Sequence, residues 1–325
     1  MSEAAPNEAA RNEAARNETS LHEAVSPEAG LTGFAVDLGG TKTAAARIEK
    51  GVVVDRREVA TDGAADLAGQ LDGMAALLRA LDHRPGSRLG VAVAGRLTAE
   101  GIWSALNAGT LTAVQDAPLG RALRQRFGQA GLCNDAAAAA LAEARFGAGR
   151  GCRIFVYLTV STGIGGGIVV DGRPFESRRG LAGHLGFLSA PLGRDLCGSG
   201  RRGTVESVAG GRAMAAAATA AGHPGANARQ VFDAALRGEP WAETIVERSA
   251  RAVATLCADI AAALDPERIA IGGGIGLASG YLERIEAHLA DEPPLFRVPL
   301  QPAALGPSGP LLGALAYACG MQEVR

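Results

Sequence analysis

Two aspartates and three glycine-rich turns carry the chemistry that can be read from this sequence. Asp37 and Asp135 each close a short apolar run, "FAVDLGG" and "AGLCND". A carboxylate at a strand end facing a cleft suits contact with Mg2+ or abstraction of a proton. The alternative is a cap on the next helix or turn, and it is strongest at Asp135, which a helix follows at once. Glycine-rich turns follow apolar runs at Asp37–Thr43, Ser161–Gly167 and Gly272–Gly276. Exposed N–H groups in such turns hold phosphate oxygens, and a residue without Cβ lets the backbone close on a ligand. In a chain with 45 glycines one such turn means little. Three at strand ends, with Asp and Thr beside the first two, form a pattern. None fits the Walker motif GxxxxGK[ST]. "GIGGGI" lies between two strands, which argues against a Rossmann dinucleotide site. The stretch "LCGSGRRGTVES", Leu196–Ser207, has the look of a metal loop but holds a single cysteine, Cys197.

The elements between these residues must bring them to one place. Order is expected from about Leu31. "FAVDLGG" reads as a strand, and "TAAARIEKGVVVDRREVA" as two more around a turn at Lys50–Gly51. "AADLAGQLDGMAALLRAL" repeats apolar residues at helical spacing. "SRLGVAVAG" is a buried strand broken at Gly95, "APLGRALRQRFG" a helix, "AGLCND" a strand and "AAAAALAEARFGAG" a helix. "IFVYLTVSTGIGGGIVVDGRPF" opens a second unit as a glycine-interrupted hairpin. Helices are expected over 211–221, 228–236 and 241–264, then a strand at "RIAIGGGIG" meeting a glycine turn. "SGYLERIEAHL" is a helix and "SGPLLGALAYACG" a last, amphipathic one. Hairpin strands mixed with crossover helices argue an α/β fold with a cleft between two lobes.

The chain's 325 residues allow two domains of ordinary size, and a hydrophobic content of 47% gives them a real core. A net charge of -2 makes no electrostatic case for nucleic acid or a membrane surface. No apolar run approaches the ~20 residues of a membrane helix, and the N-terminus has no signal-peptide apolar region. Cys133, Cys152, Cys197, Cys257 and Cys319 are dispersed, which suits a reducing cytosol better than a disulfide framework. A cytoplasmic location is therefore expected. The five-residue repeat PNEAA-RNEAA-RNETS is polar and its period fits no helical stripe, so residues 1–30 read as a disordered leader.

Taken in order, these pieces resemble the ROK family of sugar kinases, which has the actin-like ATPase (ribonuclease H-like) fold. "DLGGTK" (Asp37–Lys42) is similar to the family's first phosphate loop, "ND" (Asn134, Asp135) to its catalytic pair and "LTVSTGIGGGIV" (Leu158–Val169) to its second phosphate loop. "GLAGHLG" (Gly180–Gly186) and "CGSGRRGTVE" (Cys197–Glu206) resemble its sugar and zinc segment, and "IAIGGGIG" (Ile269–Gly276) its adenosine turn. The resemblance spans about residues 31–320. It implies an α/β fold of two lobes around an interdomain cleft: an N-terminal lobe at 31–137, completed by a C-terminal helix at about 310–322, and a C-terminal lobe at 138–309. Most members read GxxGExGH where this chain runs from Gly180 to Phe187. His184 in place of that glutamate resembles the bacterial branch acting on N-acetylmannosamine. The family's zinc ligands, one His and three Cys, fall on Phe187, Cys197, Ser199 and Thr204. A lone thiolate cannot make a tetrahedral zinc site, so no structural zinc is expected, with Phe187 packing and Ser/Thr hydrogen bonds holding the loop instead. Phe187 also removes a polar contact near the sugar, and Thr110-Leu111 stands where the family often has Asn before Leu.

The resemblance implies phosphoryl transfer from MgATP to the 6-hydroxyl of an N-acylhexosamine, N-acetylmannosamine first, by positioning and charge neutralisation. Asp135 would accept the hydroxyl proton. Gly95, Arg96, Thr110, Asn134, Asp135, His184 and Glu206 would meet the sugar. Asp37 would hold Mg2+ through water. Gly39, Gly40, Thr41, Lys42, Thr162 and Gly163 would take the phosphates, and Gly273, Gly274 and Ile275 the adenosine. His184 as a core histidine and Lys42 as a solvated lysine are the alternatives. Rival readings are a kinase for glucose or another hexose, and a non-catalytic sugar-binding protein, which the eroded loop suggests. A sugar-responsive regulator is disfavoured, because about 30 polar residues precede the first strand where a winged helix-turn-helix takes ~60–80. The expected partners are sugar and ATP, in a homodimer, with no nucleic acid or membrane.

Overall fold

The computed structural model of the chain describes residues 30–107 and 109–320. The leader expected over 1–30 thus lies outside the described residues apart from Gly30, as do the last two residues of the helix expected to 322.

The first half contains β1 (Gly33–Leu38), β2 (Lys42–Glu49), β3 (Val52–Ala60), α1 (Leu67–Ala80) and β4 (Leu89–Val93). A small ribbon of β5 (Arg96–Leu97) and β6 (Trp103–Ser104) follows, then α2 (Leu119–Phe127), β7 (Gly131–Asn134) and α3 (Asp135–Phe146). The sheet order is β3-β2-β1-β4-β7. β1 to β3 form an antiparallel meander, while β1, β4 and β7 run parallel. The second half contains β8 (Ile154–Val160), β9 (Ile164–Val170), β10 (Arg173–Pro174), α4 (Glu206–Ala209), α5 (Gly211–Ala220), α6 (Ala228–Leu236) and α7 (Pro240–Leu264). Then come β11 (Arg268–Gly272), α8 (Gly273–Gly276), α9 (Tyr281–Leu289), β12 (Leu300–Pro302) and α10 (Gly309–Gly320). Its sheet order, β10-β9-β8-β11-β12, repeats the first: three antiparallel strands, then two added in parallel. The α/β expectation is met, with one topology used twice.

Parallel strands have a consequence for the site. β1, β4 and β7 all end on the same edge of their sheet, so Gly39, Gly95 and Asp135 emerge together. β8 and β11 likewise end together at Ser161 and Gly273. Ligands of open α/β sheets bind beyond such carboxyl ends.

Local signals explain most of the helices. α6 starts with a reciprocal capping box between Asn227 and Gln230. α7 has Pro240 in its first turn and ends at Asp265 in the left-handed region. Its apolar face, including Val253 and Cys257, packs into one core with Val156, Leu158 and Ile269 of the second sheet. Phe34, Val36, Leu78, Val91 and Trp103 form a second core between the first sheet and α1.

Two expectations are corrected. The turn expected at Gly272–Gly276 is a helical turn, α8, entered through Gly273 at a φ of 85°. The last helix is not amphipathic: Gly309 and Leu311 to Ala316 are all buried, so it is apolar on every side. It lies between the first sheet and α3, where Ala35, Ala92, Ala138, Leu141, Leu311 and Leu315 form a third core. Small residues allow the contact. A Cβ on Gly313 would lie 1.7 Å from the carbonyl oxygen of Ala138, and one on Gly90 2.1 Å from that of Ala314.

Gly313→Ala should therefore lower the free energy of urea unfolding by about 3 kcal/mol through overpacking. Gly73, exposed on α1 with open space around it, should do the reverse. Gly73→Ala is expected to add about 0.5–1 kcal/mol by removing chain entropy from a helix.

Candidate active site

The carboxyl ends of the two sheets face a cleft of about 310 Å³. Of the residues expected to act together, Gly39, Gly40, Thr41, Gly95, Thr110, Asn134, Asp135, Thr162, Gly163, His184 and Glu206 line it. Arg96, Lys42, Asp37, Gly273, Gly274 and Ile275 do not.

Asn134 and Asp135 divide two jobs that the sequence left on Asp135. Asn134 is the N-cap of α3, its Oδ1 accepting from the N–H groups of Ala136 at 3.0 Å and Ala137 at 3.1 Å. Its Nδ2 donates to the Gly95 carbonyl at 3.0 Å. The side chain expected to orient the sugar is thus bonded to backbone at both ends. Asp135 becomes the first residue of the helix and presents its carboxylate to the cleft, one oxygen accepting from the Ala136 N–H at 2.8 Å. Burial pushes its pKa up, and the Ala136 N–H and His184 pull partly back.

The two glycine turns expected to take phosphates are built differently. In the first, the Gly39 N–H donates to the Lys42 carbonyl at 3.0 Å, and the Gly39 carbonyl accepts from the Thr61 hydroxyl at 2.9 Å. Thr110 packs on it, its Oγ1 2.8 Å from where a Gly40 Cβ would stand. In the second, the Ser161 and Thr162 carbonyls accept from the first N–H groups of α5, on Gly211 at 2.8 Å and Arg212 at 3.1 Å. Among the described residues the N–H groups of Gly40, Thr41, Thr162 and Gly163 have no acceptor. Four unpartnered donors on a cleft wall form a cradle for anionic oxygens.

Glu206, expected at the sugar, lines the cleft and also ties it together. Oε2 accepts from the Ile164 N–H at 3.0 Å and Oε1 from the Gly198 N–H at 3.1 Å. His184 stacks on Phe187, with centroids 5.8 Å apart. Its Nδ1 is buried without a hydrogen-bond partner, which the alternative of a satisfied core histidine does not accommodate. The loop at the family's zinc positions is closed by its own bonds. Cys197 Sγ lies 3.0 Å from Ser199 Oγ. Thr204 is fully buried and exchanges backbone and hydroxyl bonds with Ser207. Arg201 donates to the Phe187 carbonyl and to Ser189.

Three expected contacts are redirected. Lys42 is exposed and pairs with Glu58 at 2.7 Å. Arg96 donates to Asp116 at 3.0 Å and to Ser104 at 3.2 Å. Both find carboxylates on neighbouring strands or loops before they reach the cleft. The adenosine candidates sit beside the second turn rather than on the cleft wall. A Cβ on Gly273 would lie 2.4 Å from the Val160 carbonyl oxygen, and Gly274 is exposed. Asn107 and Arg212 were not singled out, yet both line the cleft and are hydrogen-bonded to each other. The signals available were a lone amide in "SALNAGT" and a basic residue after the glycines of "AGGRAM".

Asp37 stands one residue before the end of β1, off the cleft wall. Loss of water and the nearby Asp135 carboxylate push its pKa up to about 7. Two carboxylates that repel each other beside a phosphate cradle are a fitting donor set for Mg2+, which takes one or two carboxylates and completes its shell with water and phosphate.

Residues 33–320 match the model of the ROK family. The chain is 41% identical over 292 residues to the N-acetylmannosamine kinase of Yersinia pseudotuberculosis, covering 88% of this chain and 98% of that one. The ROK hexokinase from Thermus thermophilus superposes with a TM-score of 0.76 at 33% identity, over 89% of this chain and 98% of that one. The ROK glucokinase from Streptomyces griseus, solved with glucose and AMPPNP, gives 0.73 at 27% identity, over 89% and 99%.

The strained carboxylate has a measurable signature. A carboxyl whose folded pKa lies above its ordinary 3.8 takes up protons on folding. It therefore costs stability progressively as pH rises from about 4 to about 7. Asp37→Asn should raise the Tm of EDTA-treated protein by several degrees at pH 8, by clearly less at pH 5, and hardly at all below pH 4, as read by scanning calorimetry.

Proposed function

The chain belongs to the ROK family, and from that membership we propose that it is an N-acetylmannosamine kinase, transferring the γ-phosphoryl group of ATP to the sugar's 6-hydroxyl. The observation that carries this reading is that Asn134 shares the cap, so that only one oxygen of Asp135 is drawn to the helix N–H groups. A desolvated carboxylate thus faces the same cleft as four unpartnered N–H donors.

In this reading Asp135 accepts the proton of the 6-hydroxyl as the oxygen attacks phosphorus. Burial raises its pKa, which makes it a better base than an exposed aspartate. The N–H groups of Gly40, Thr41, Thr162 and Gly163 receive phosphate oxygens, already aimed and needing no reorganisation. Asp37 would hold Mg2+ through its water shell, where the ion would neutralise phosphate charge. The free Nδ1 of His184 suits a sugar hydroxyl or acyl oxygen, which would satisfy an otherwise costly buried nitrogen. Glu206 and Gly95 fix the second turn and the Asn134 amide, so the sugar meets a rigid wall. The identity with the Yersinia kinase favours N-acetylmannosamine over glucose as the acceptor.

ADP production is the direct test, with MgATP and a panel of N-acetylmannosamine, N-acetylglucosamine, glucose and mannose. Preference for N-acetylmannosamine supports the reading. Preference for glucose replaces the substrate and keeps the chemistry, and no turnover on any sugar refutes it. Asp135→Asn should lower kcat by about 10²–10⁴ with ATP binding retained. In the wild type, kcat/KM should fall as pH drops through a value above the ordinary aspartate range, because the base must be ionised and its pKa is raised.

The zinc positions hold Phe, Cys, Ser and Thr, and the loop is closed by hydrogen bonds of its own. Dialysis against a zinc chelator, followed by Mg2+ replacement, should leave both turnover and Tm unchanged.

A further inference from the structure

The cleft gathers negative charge with little to balance it. Asp135 and Glu206 stand on its wall and Asp37 close behind, and ATP brings a triphosphate. The two basic residues suggested by the sequence are turned away, Lys42 to Glu58 and Arg96 to Asp116. Among the described residues lining the cleft, Arg212 is the one lysine or arginine.

Its position is set by backbone. Arg212 is the second residue of α5, and its own N–H donates to the Thr162 carbonyl at 3.1 Å. Its Cα is thereby pinned beside the second phosphate turn. Its guanidinium reaches across the cleft to Asn107 Oδ1, which also accepts from the Gly109 N–H at 3.2 Å. Asn107 belongs to the loop that carries Thr110, and Thr110 packs on Gly40 of the first phosphate turn. The side chain thus spans the gap between two turns that both present unpartnered N–H groups. A guanidinium has five donors in a planar fork, and among the described residues only Asn107 takes any of them.

We propose that Arg212 is the cation that neutralises the transferring phosphoryl group. It is held by Asn107 across the cleft and engages the γ-phosphoryl oxygens when ATP and sugar are bound. The inference rests on the kinase reading above. In the step it serves, the bond from the sugar's 6-oxygen to phosphorus forms and the bridging oxygen–phosphorus bond of ATP breaks. The bridging electron pair leaves on ADP, and the hydroxyl proton passes to Asp135. Arg212 keeps all its protons and acts by charge and geometry, as a guanidinium does on other phosphoryl groups.

Steady-state kinetics of Arg212 variants with MgATP and N-acetylmannosamine test this, and because Arg212 is exposed its replacement leaves the fold intact. Arg212→Ala should lose about 10²–10³ in kcat with the sugar KM within about threefold of wild type. Arg212→Lys should recover part of the loss. Guanidinium ion added at millimolar concentration should restore part of the turnover of Arg212→Ala while leaving the wild type unstimulated. A kcat within threefold of wild type in Arg212→Ala overturns the proposal. So does an unrescued loss that Asn107→Ala reproduces in full, since that would make Arg212 a strut between the two sides of the cleft. Wild-type protein inactive on every sugar defeats the kinase reading, and this inference with it, before any variant is made.

Discussion

Asn134 is bonded at both ends of its amide, and the site depends on it. Its oxygen caps α3 and its nitrogen holds the Gly95 carbonyl. One side chain therefore ties the end of β7 to the end of β4 and starts the helix behind them. Without the cap, the first N–H groups of α3 would need another acceptor, and the nearest carboxylate is Asp135. With the amide sharing the cap, the carboxylate spends one oxygen on the Ala136 N–H and still faces the cleft, desolvated and raised in pKa. Fixing β4, β7 and α3 together also fixes α10, which packs against all three through glycine and alanine too closely for larger side chains.

Around that anchor the cleft is assembled from backbone more than from side chains. In the proposed reading the phosphates meet unpartnered N–H groups of turns whose neighbouring carbonyls are engaged. Such donors do not reorganise when charge develops, which is the physical basis of electrostatic catalysis. The side chains bring what backbone cannot: a carboxylate in Asp135, the proposed base, a buried unpartnered nitrogen in His184, and a guanidinium in Arg212. The repulsion between Asp37 and Asp135 belongs to the same design.

The segment from Phe187 to Glu206 is held by hydrogen bonds of its own side chains and backbone. Thr204 and Ser207 close a local turn, Cys197 contacts Ser199, and Glu206 fastens the loop to the second phosphate turn. All but the last are short-range contacts that the loop can form by itself. Phe187 stacks on His184 and so couples the loop to the residue with the unpartnered nitrogen.

Much of the fold was legible in the sequence, because strand and helix periodicity and glycine turns are local properties of the backbone. The α/β class, the two hairpin-led halves, the glycine turns and the placement of Asp135 just past a strand end followed from residues within a few positions of one another. The apolar character of "SGPLLGALAYACG" was visible too, but not that it would be buried on all sides, since that depends on α3 and the first sheet closing over it. The sequence alone also left open where the charged side chains end. Lys42 and Arg96 stand next to glycine turns yet pair with Glu58 and Asp116, while Arg212 meets Asn107 from 105 residues away. Long flexible side chains take the nearest suitable partner in space. Only the tertiary packing of the two halves decides which partner that is.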